Sequence, residues 1–217
     1  MAWNKHVFWQ ALVVALLVFF MGIFWGVYFE EVRINKIENF YFDSETEIFD
    51  LNLASDIVFD ENIDCDSAVD NTIFFADRIY AEAKRLEKYD DANKVTEDLI
   101  LLHRRYDLLR VMLWRQTLKT KESCSGDLNS VVYIYQYQKP SINTRALQGV
   151  MSNKLLDLKK EYGDKMVLIP IAGDTGVQSL DIMREIYDVE DYPVILVNEE
   201  AQFKSVDDLT GIEEALK

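Results

Sequence analysis

Residues 7–29 form an unbroken run with no charged side chain and a single amide, Gln10. As a helix rising about 1.5 Å per residue, such a run spans roughly 35 Å, enough to cross a hydrocarbon core of about 30 Å with some tilt. A helix that is apolar on every side has no face to offer water, so lipid is its expected surrounding. Trp3, Trp9, Trp25 and Tyr28 lie toward the two ends, where amphipathic rings favour the headgroup region. A cleaved leader would need a shorter apolar core, about 7–15 residues, followed by a small-x-small site. The chain instead continues Trp25-Gly26-Val27-Tyr28-Phe29-Glu30-Glu31, which offers none. Residues 1–29 therefore read as an uncleaved transmembrane signal anchor, with membrane lipid as its partner.

Orientation rests on weaker signals. Lys5 and the amino terminus precede the run, while Arg33 and Lys36 follow it, so the positive-inside count is nearly balanced. The short N-terminal tail and the cysteine argument below favour a cytoplasmic N-terminus with residues 30–217 outside the cytoplasm. Ala11, Ala15, Gly22 and Gly26 cluster on one side of the helix at about 100° per residue. Gly22 and Gly26 make a GxxxG, a face on which two helices can approach closely, so homodimer pairing is one use of it and ordinary small-residue content the other.

The chain carries 23 basic and 38 acidic side chains, a net charge of −15. Lys5 is the only charged side chain before residue 30, so the acidity belongs to residues 30–217. That balance argues against nucleic acid, whose backbone is bound by Lys and Arg displacing counterions. A content of 49% hydrophobic residues with 8 Gly and 3 Pro excludes a disordered or collagen-like chain. His6 and His103 fall in different modules and make no metal constellation; no cofactor is implied.

Residues 30–63 form an acidic juxtamembrane connector, too rich in Phe, Ile and Leu for a solvated linker. Residues 64–126 read as an antiparallel helical hairpin. Val69, Thr72, Ala76, Ile79, Ala83 and Leu86 step by three and four over a helix at 66–88. Tyr89-Asp90-Asp91 interrupts, and Val95, Leu99, Leu102, Tyr106, Leu109, Leu113 and Gln116 continue the pattern over about 93–120. Cys65 and Cys124 stand at the open end. A bridge between them would close a loop of about 60 residues and contribute roughly 4 kcal/mol, given an oxidising compartment. Counting from the turn, Cys65 faces residue 115, so the chain after Lys121 must fold back. His103-Arg104-Arg105 is the one basic cluster; a partner patch is one use of it, and the spacing to Asp98 and Asp107 favours a solvated, charge-paired face.

Residues 127–217 change pattern. Residues 131–135 and 166–171 are β-branched and apolar, strands buried on both faces. A helix over 144–162 carries Leu147, Met151, Leu155, Leu158 and Tyr162 on one face and stops at Gly163. A helix near 179–188 carries Ile182, Met183, Ile186 and Tyr187. Residues 193–197, a turn at Asn198-Glu199-Glu200, a strand at 202–206 and a short final helix complete a β-α-β-α-β-β-α order in the α/β class. Gly173-Asp174-Thr175-Gly176 reads as a strand-to-helix loop.

That order, with Asp191-Tyr192-Pro193-Val194-Ile195-Leu196-Val197-Asn198, resembles the thioredoxin-like superfamily over about residues 128–217. The resemblance implies a cis Pro193 and Tyr192 beside a peptide-binding groove. It also implies a CxxC between the first strand and its helix, where the helix N-terminus lowers the thiol pKa. The slot here is Lys139-Pro140-Ser141-Ile142-Asn143-Thr144-Arg145, which has no cysteine. Hydroxyl and guanidinium groups cannot perform thiol–disulfide exchange. The implied module keeps the fold without the enzyme, has no catalytic residues, and binds or scaffolds protein through Tyr192, Pro193, Ser141, Ile142 and Asn143. Two other readings stand beside it: a structural subunit of a membrane complex, and a thiol–disulfide oxidoreductase using Cys65 and Cys124.

Overall fold

The computed structural model describes residues 8–29, 64–90, 97–124 and 128–216, with isolated positions at 46, 50, 53 and 57. The chain divides into two units, Met1–Asp50 and Leu51–Lys217. The first unit is described through helix α1, Phe8–Phe29, which is long and apolar enough to cross a membrane and has no buried residue. A Cβ added at Gly22 or Gly26 meets nothing within 4 Å, so the face they share is open. The expected acidic connector lies outside the described residues apart from the isolated positions.

The second unit begins with α2, Cys65–Asp90, and α3, Glu97–Ser123. Asp64 caps α2: its carboxylate accepts the Ser67 N–H at 3.0 Å and the Ser67 hydroxyl at 2.9 Å. The backbone hydrogen bond from Ser67 is the larger of these effects, and together they hold the Asp64 carboxyl below its ordinary range. The helices meet through Ala68, Thr72, Phe75 and Ile79 on α2 and Leu102, Tyr106, Leu109, Leu113 and Gln116 on α3. Thr72 Oγ1 lies 2.9 Å from Thr120 Oγ1 and accepts from Gln116 Nε2 at 3.3 Å, a polar layer inside the hairpin. Cys65 and Cys124 are joined in a disulfide with Cα atoms 5.5 Å apart. The register differs from the sequence expectation by about two turns. Tyr89 and Asp90 belong to α2, so the connection comes later than the Tyr89-Asp90-Asp91 interruption, and the C-terminus of α3 meets Cys65 without folding back.

Four strands follow: β1 Asn129–Tyr135, β2 Met166–Ala172, β3 Val194–Val197 and β4 Ala201–Phe203. Their order is β2-β1-β3-β4, with β1 and β2 parallel and the other pairs antiparallel. Helix α4, Ile142–Tyr162, makes the crossover between the parallel strands. The strand expected over 202–206 is shorter and earlier, because Asn198 and Glu199 both take positive φ and turn the chain tightly into Ala201. One sheet face carries Val131, Tyr133, Ile195 and Val197 against Met151, Leu155 and Leu158 of α4 and Ile212 of α6, Ile212–Ala215. Alternation turns Val132, Ile134, Val194 and Leu196 to the other face. There α3 packs on β1, β2 and α5, Gln178–Ile186. The hairpin thus supplies a layer of the α/β sandwich. On α5, Leu180 and Met183 are buried, whereas Ile182 and Ile186 are exposed.

β2 is an edge strand seven residues long, the kind of feature that invites pairing with another chain. Several of its outward backbone groups are occupied or missing. Gly173 N donates to Tyr135 O on the β1 side, so alternation sends Met166, Leu168, Pro170 and Ala172 outward. Lys159 Nζ donates to Met166 O at 2.8 Å, Pro170 has no N–H, and Ala172 N donates to Asp107 Oδ1 at 3.0 Å.

Candidate functional site

Three segments converge at the C-terminal end of β1 and β2: the loop 136–141, the loop 173–177, and Tyr192-Pro193 leading into β3. An end of a sheet where connections leave to both sides is a natural crevice. The first loop is fixed by side chains. Tyr137 N and Gln138 N donate to the two oxygens of Asp174 at 2.9 and 2.7 Å, and Gln138 Nε2 donates to Asp174 O at 2.6 Å. Gln136 N donates to Gln148 Oε1 at 3.1 Å while Gln148 Nε2 returns a bond to Gln136 O at 3.0 Å. Lys139 takes a positive φ of 46°, and Ser141 caps α4 by accepting the Thr144 N–H at 3.1 Å. The hydroxyls of Ser141 and Thr144 lie 2.7 Å apart. Ser141, Ile142 and Asn143 are exposed.

The Tyr192–Pro193 bond is cis. Tyr192 and Pro193 are half-buried. The Tyr192 ring lies against Gly173, where an added Cβ would stand 2.8 Å from two ring carbons, and the Arg184 guanidinium sits 5.2 Å from the ring centre. Arg184 is steadied by Nη2 donating to Glu190 O at 2.7 Å. The expected groove residues therefore share one end of the sheet, but the Tyr192 ring turns toward Gly173 and Arg184. Gly173→Ala is expected to displace that ring and destabilise the fold by about 1–3 kcal/mol, the usual range for overpacking. Denaturant unfolding of the variant checks this; an unchanged midpoint would show that the ring moves freely.

Behind these loops, α3 presents a second stripe at His103, Asp107, Arg110, Trp114, Thr117 and Lys121. All but Lys121 are buried. The solvated face expected around His103 and Asp107 is thus corrected: His103 stacks on Tyr137 with centroids 3.8 Å apart, and Asp107 has no exposed surface. The reason is the sheet end, which supplies hydrogen-bond donors that water would otherwise provide. Besides Ala172 N, Asp107 accepts Thr175 Oγ1 at 2.8 Å and Arg110 Nη1 at 3.3 Å. At the opposite end of the sheet, Trp114 Nε1 donates to Glu199 Oε1 at 2.9 Å and Lys121 Nζ bonds Glu199 Oε2 at 3.1 Å. Ser130 also donates to Glu199, and the Trp114 ring stacks on Tyr187 at 5.3 Å. The signal for this stripe was present in the spacing, in alternating steps of four and three, but its residues are mostly polar.

Burial pushes the Asp107 carboxyl above its ordinary 3.8, outweighing Arg110, the Ala172 N–H, Thr175 and His103, which favour the ionised form. A raised carboxyl pKa means that the folded state binds the proton more tightly than the unfolded chain. Its stabilising contribution is therefore full below pH 3.8 and declines as pH rises through the folded value. Asp107→Asn keeps the shape and removes the titration. Relative to wild type, this variant should gain stability as pH rises across that window, on top of a constant cost for hydrogen bonds that an amide accepts less well from Ala172 N, Thr175 and Arg110. Paired denaturation curves from pH 3.5 upward, at roughly half-unit steps, measure it; a flat difference would place the titration elsewhere.

Comparison with known proteins found no matching family model, no matching curated protein and no matching solved structure.

Proposed function

We propose that the chain is a single-pass, membrane-anchored protein with a cytoplasmic N-terminus, whose extracytoplasmic α/β part is a redox-inactive thioredoxin-like domain that binds or scaffolds protein. The observation that carries this reading is the Ser141–Thr144 hydroxyl pair at the start of α4. The resemblance puts a CxxC there, and the same spacing holds two hydroxyls within hydrogen-bond distance. They can bind, but they cannot exchange disulfides. The β2-β1-β3-β4 order and the cis bond before Pro193 agree with the resemblance. The Cys65–Cys124 bridge supports an oxidising compartment and so the orientation. The fixed loop 136–141 suits recognition, since a preorganised surface loses little entropy on binding.

The test is crosslinking capture with the full-length protein in detergent, comparing wild type with Tyr192→Ala and Asn143→Ala. Loss of the same captured protein in both variants is expected; unaltered capture would count against this surface. In parallel, insulin reduction should proceed no faster with the protein than without it. Turnover that disappears in Cys65→Ser would reverse the proposal in favour of a thiol enzyme.

A further inference from the structure

The acidic groups of this chain are unevenly spread. Between Asp127 and Asp157 there is no Asp or Glu, while Lys139, Arg145 and Lys154 all fall in that stretch. Most of β1 is buried, so the acid-free stretch reaches the surface mainly as the loop 136–141 and the first half of α4. Lys154 is engaged by Glu213. Lys139 and Arg145 remain, both exposed, and the first turn of α4 has no acid. Asp174 is the nearest carboxylate on the neighbouring loop, and its two oxygens are committed to the N–H groups of Tyr137 and Gln138.

Between the two cations stands Ile142, 88% exposed, more than any large apolar residue of α1, where the maximum is 69% at Phe24. A side chain so bare costs solvation without returning packing to its own fold. It is also held still, because Ser141 caps the helix directly before it and the preceding loop is fixed at three backbone N–H groups. A rigid apolar knob flanked by two cations, in a stretch of chain free of carboxylates, has a definite complement.

We propose that the surface Lys139–Ile142–Arg145 docks an acidic protein segment carrying an apolar anchor, with Ile142 meeting the anchor and the two cations meeting carboxylates. This rests on the binding-module reading and names its partner's chemistry. Charge complementarity also gives it a kinetic side, since an acidic segment repelled by the net charge of the chain is drawn to a stretch that holds cations and no carboxylate.

The experiment uses the full-length protein in nanodiscs of uncharged phosphatidylcholine and three labelled peptides: Asp-Glu-Phe-Ile-Glu-Asp, Lys-Arg-Phe-Ile-Arg-Lys and Asp-Glu-Ser-Ser-Glu-Asp. Fluorescence anisotropy should show saturable binding of the first peptide only, weakening at least tenfold between about 50 and about 300 mM salt. Lys139→Glu with Arg145→Glu should weaken it about tenfold or more, and Ile142→Ser about fivefold or more. These residues are exposed, Lys139 lies in the loop before the cap, and Glu at Arg145 is favourable near a helix N-terminus, so the variants should stay folded. Far-UV circular dichroism confirms that. Equal binding of the basic peptide, indifference to Ile142→Ser, or no binding at about 1 mM peptide would each overturn the proposal. A Tyr192→Ala arm separates the two levels. If that variant loses binding while the charge and Ile142 variants do not, the groove reading stands and the acidic-partner inference falls; if no variant changes binding, both fall.

Discussion

Trp114→Ala should cost about 3–5 kcal/mol, the range for deleting a fully buried aromatic ring. Trp114 has no exposed surface, stacks on Tyr187, and donates to Glu199 from a helix that belongs to the hairpin. Its loss removes packing between α3 and the sheet and takes one donor from a carboxylate that Lys121 and Ser130 still serve. Trp114→Phe keeps an aromatic ring and loses the N–H, so a smaller cost of about 1–2 kcal/mol is expected. The other tryptophans, Trp3, Trp9 and Trp25, all precede residue 30, so wild-type unfolding of the second unit is followed by Trp114 emission and the variants by far-UV circular dichroism. A cost below about 1 kcal/mol for the alanine variant would mean that α3 does not stabilise the sheet.

Replacing both cysteines by serine is expected to cost about 4 kcal/mol, because the bridge closes a loop of about 60 residues in the unfolded chain. The bridge also stands next to the polar layer of Thr72, Gln116 and Thr120, whose hydrogen bonds depend on helix register. Reduction should therefore raise hydrogen exchange first at the Cys65 end of α2, while β1 stays protected. A non-reducing peptide map establishes the linkage, and denaturant curves with and without reductant give the magnitude. A difference under about 1 kcal/mol would show that the unfolded chain is constrained by something other than the bridge.

The strands were legible because their apolar runs are continuous: β1, β2 and β3 lie where residues 131–135, 166–171 and 194–197 are richest in Val, Ile and Leu. Helix α4 was legible from Met151, Leu155 and Leu158, all buried as the spacing requires. The hairpin was legible as two helices, but not in register, since Tyr89 and Asp90 look like a turn and serve as helix. Least legible was the second face of α3. A stripe of His103, Asp107, Arg110, Thr117 and Lys121 around Trp114 has the composition of a solvated surface. It is buried only because Ala172, Thr175 and Glu199, distant in sequence, supply its partners. At the candidate site the helix was expected from residue 144, and its true start at Ile142 became definite only with Ser141 as the cap.

The blocked edge of β2 bears on crowding. A protein tethered by a single helix diffuses in two dimensions, so neighbours meet far more often than the same molecules would in solution. Under that confinement a bare seven-residue strand edge would be a seed for lateral sheet growth. Lys159, Pro170 and Asp107 close part of it, using a helix side chain, a missing donor and a residue borrowed from the hairpin. The hairpin thus does more than add a layer. Through Asp107 it also takes a backbone donor away from the sheet edge, where a second strand would otherwise find it.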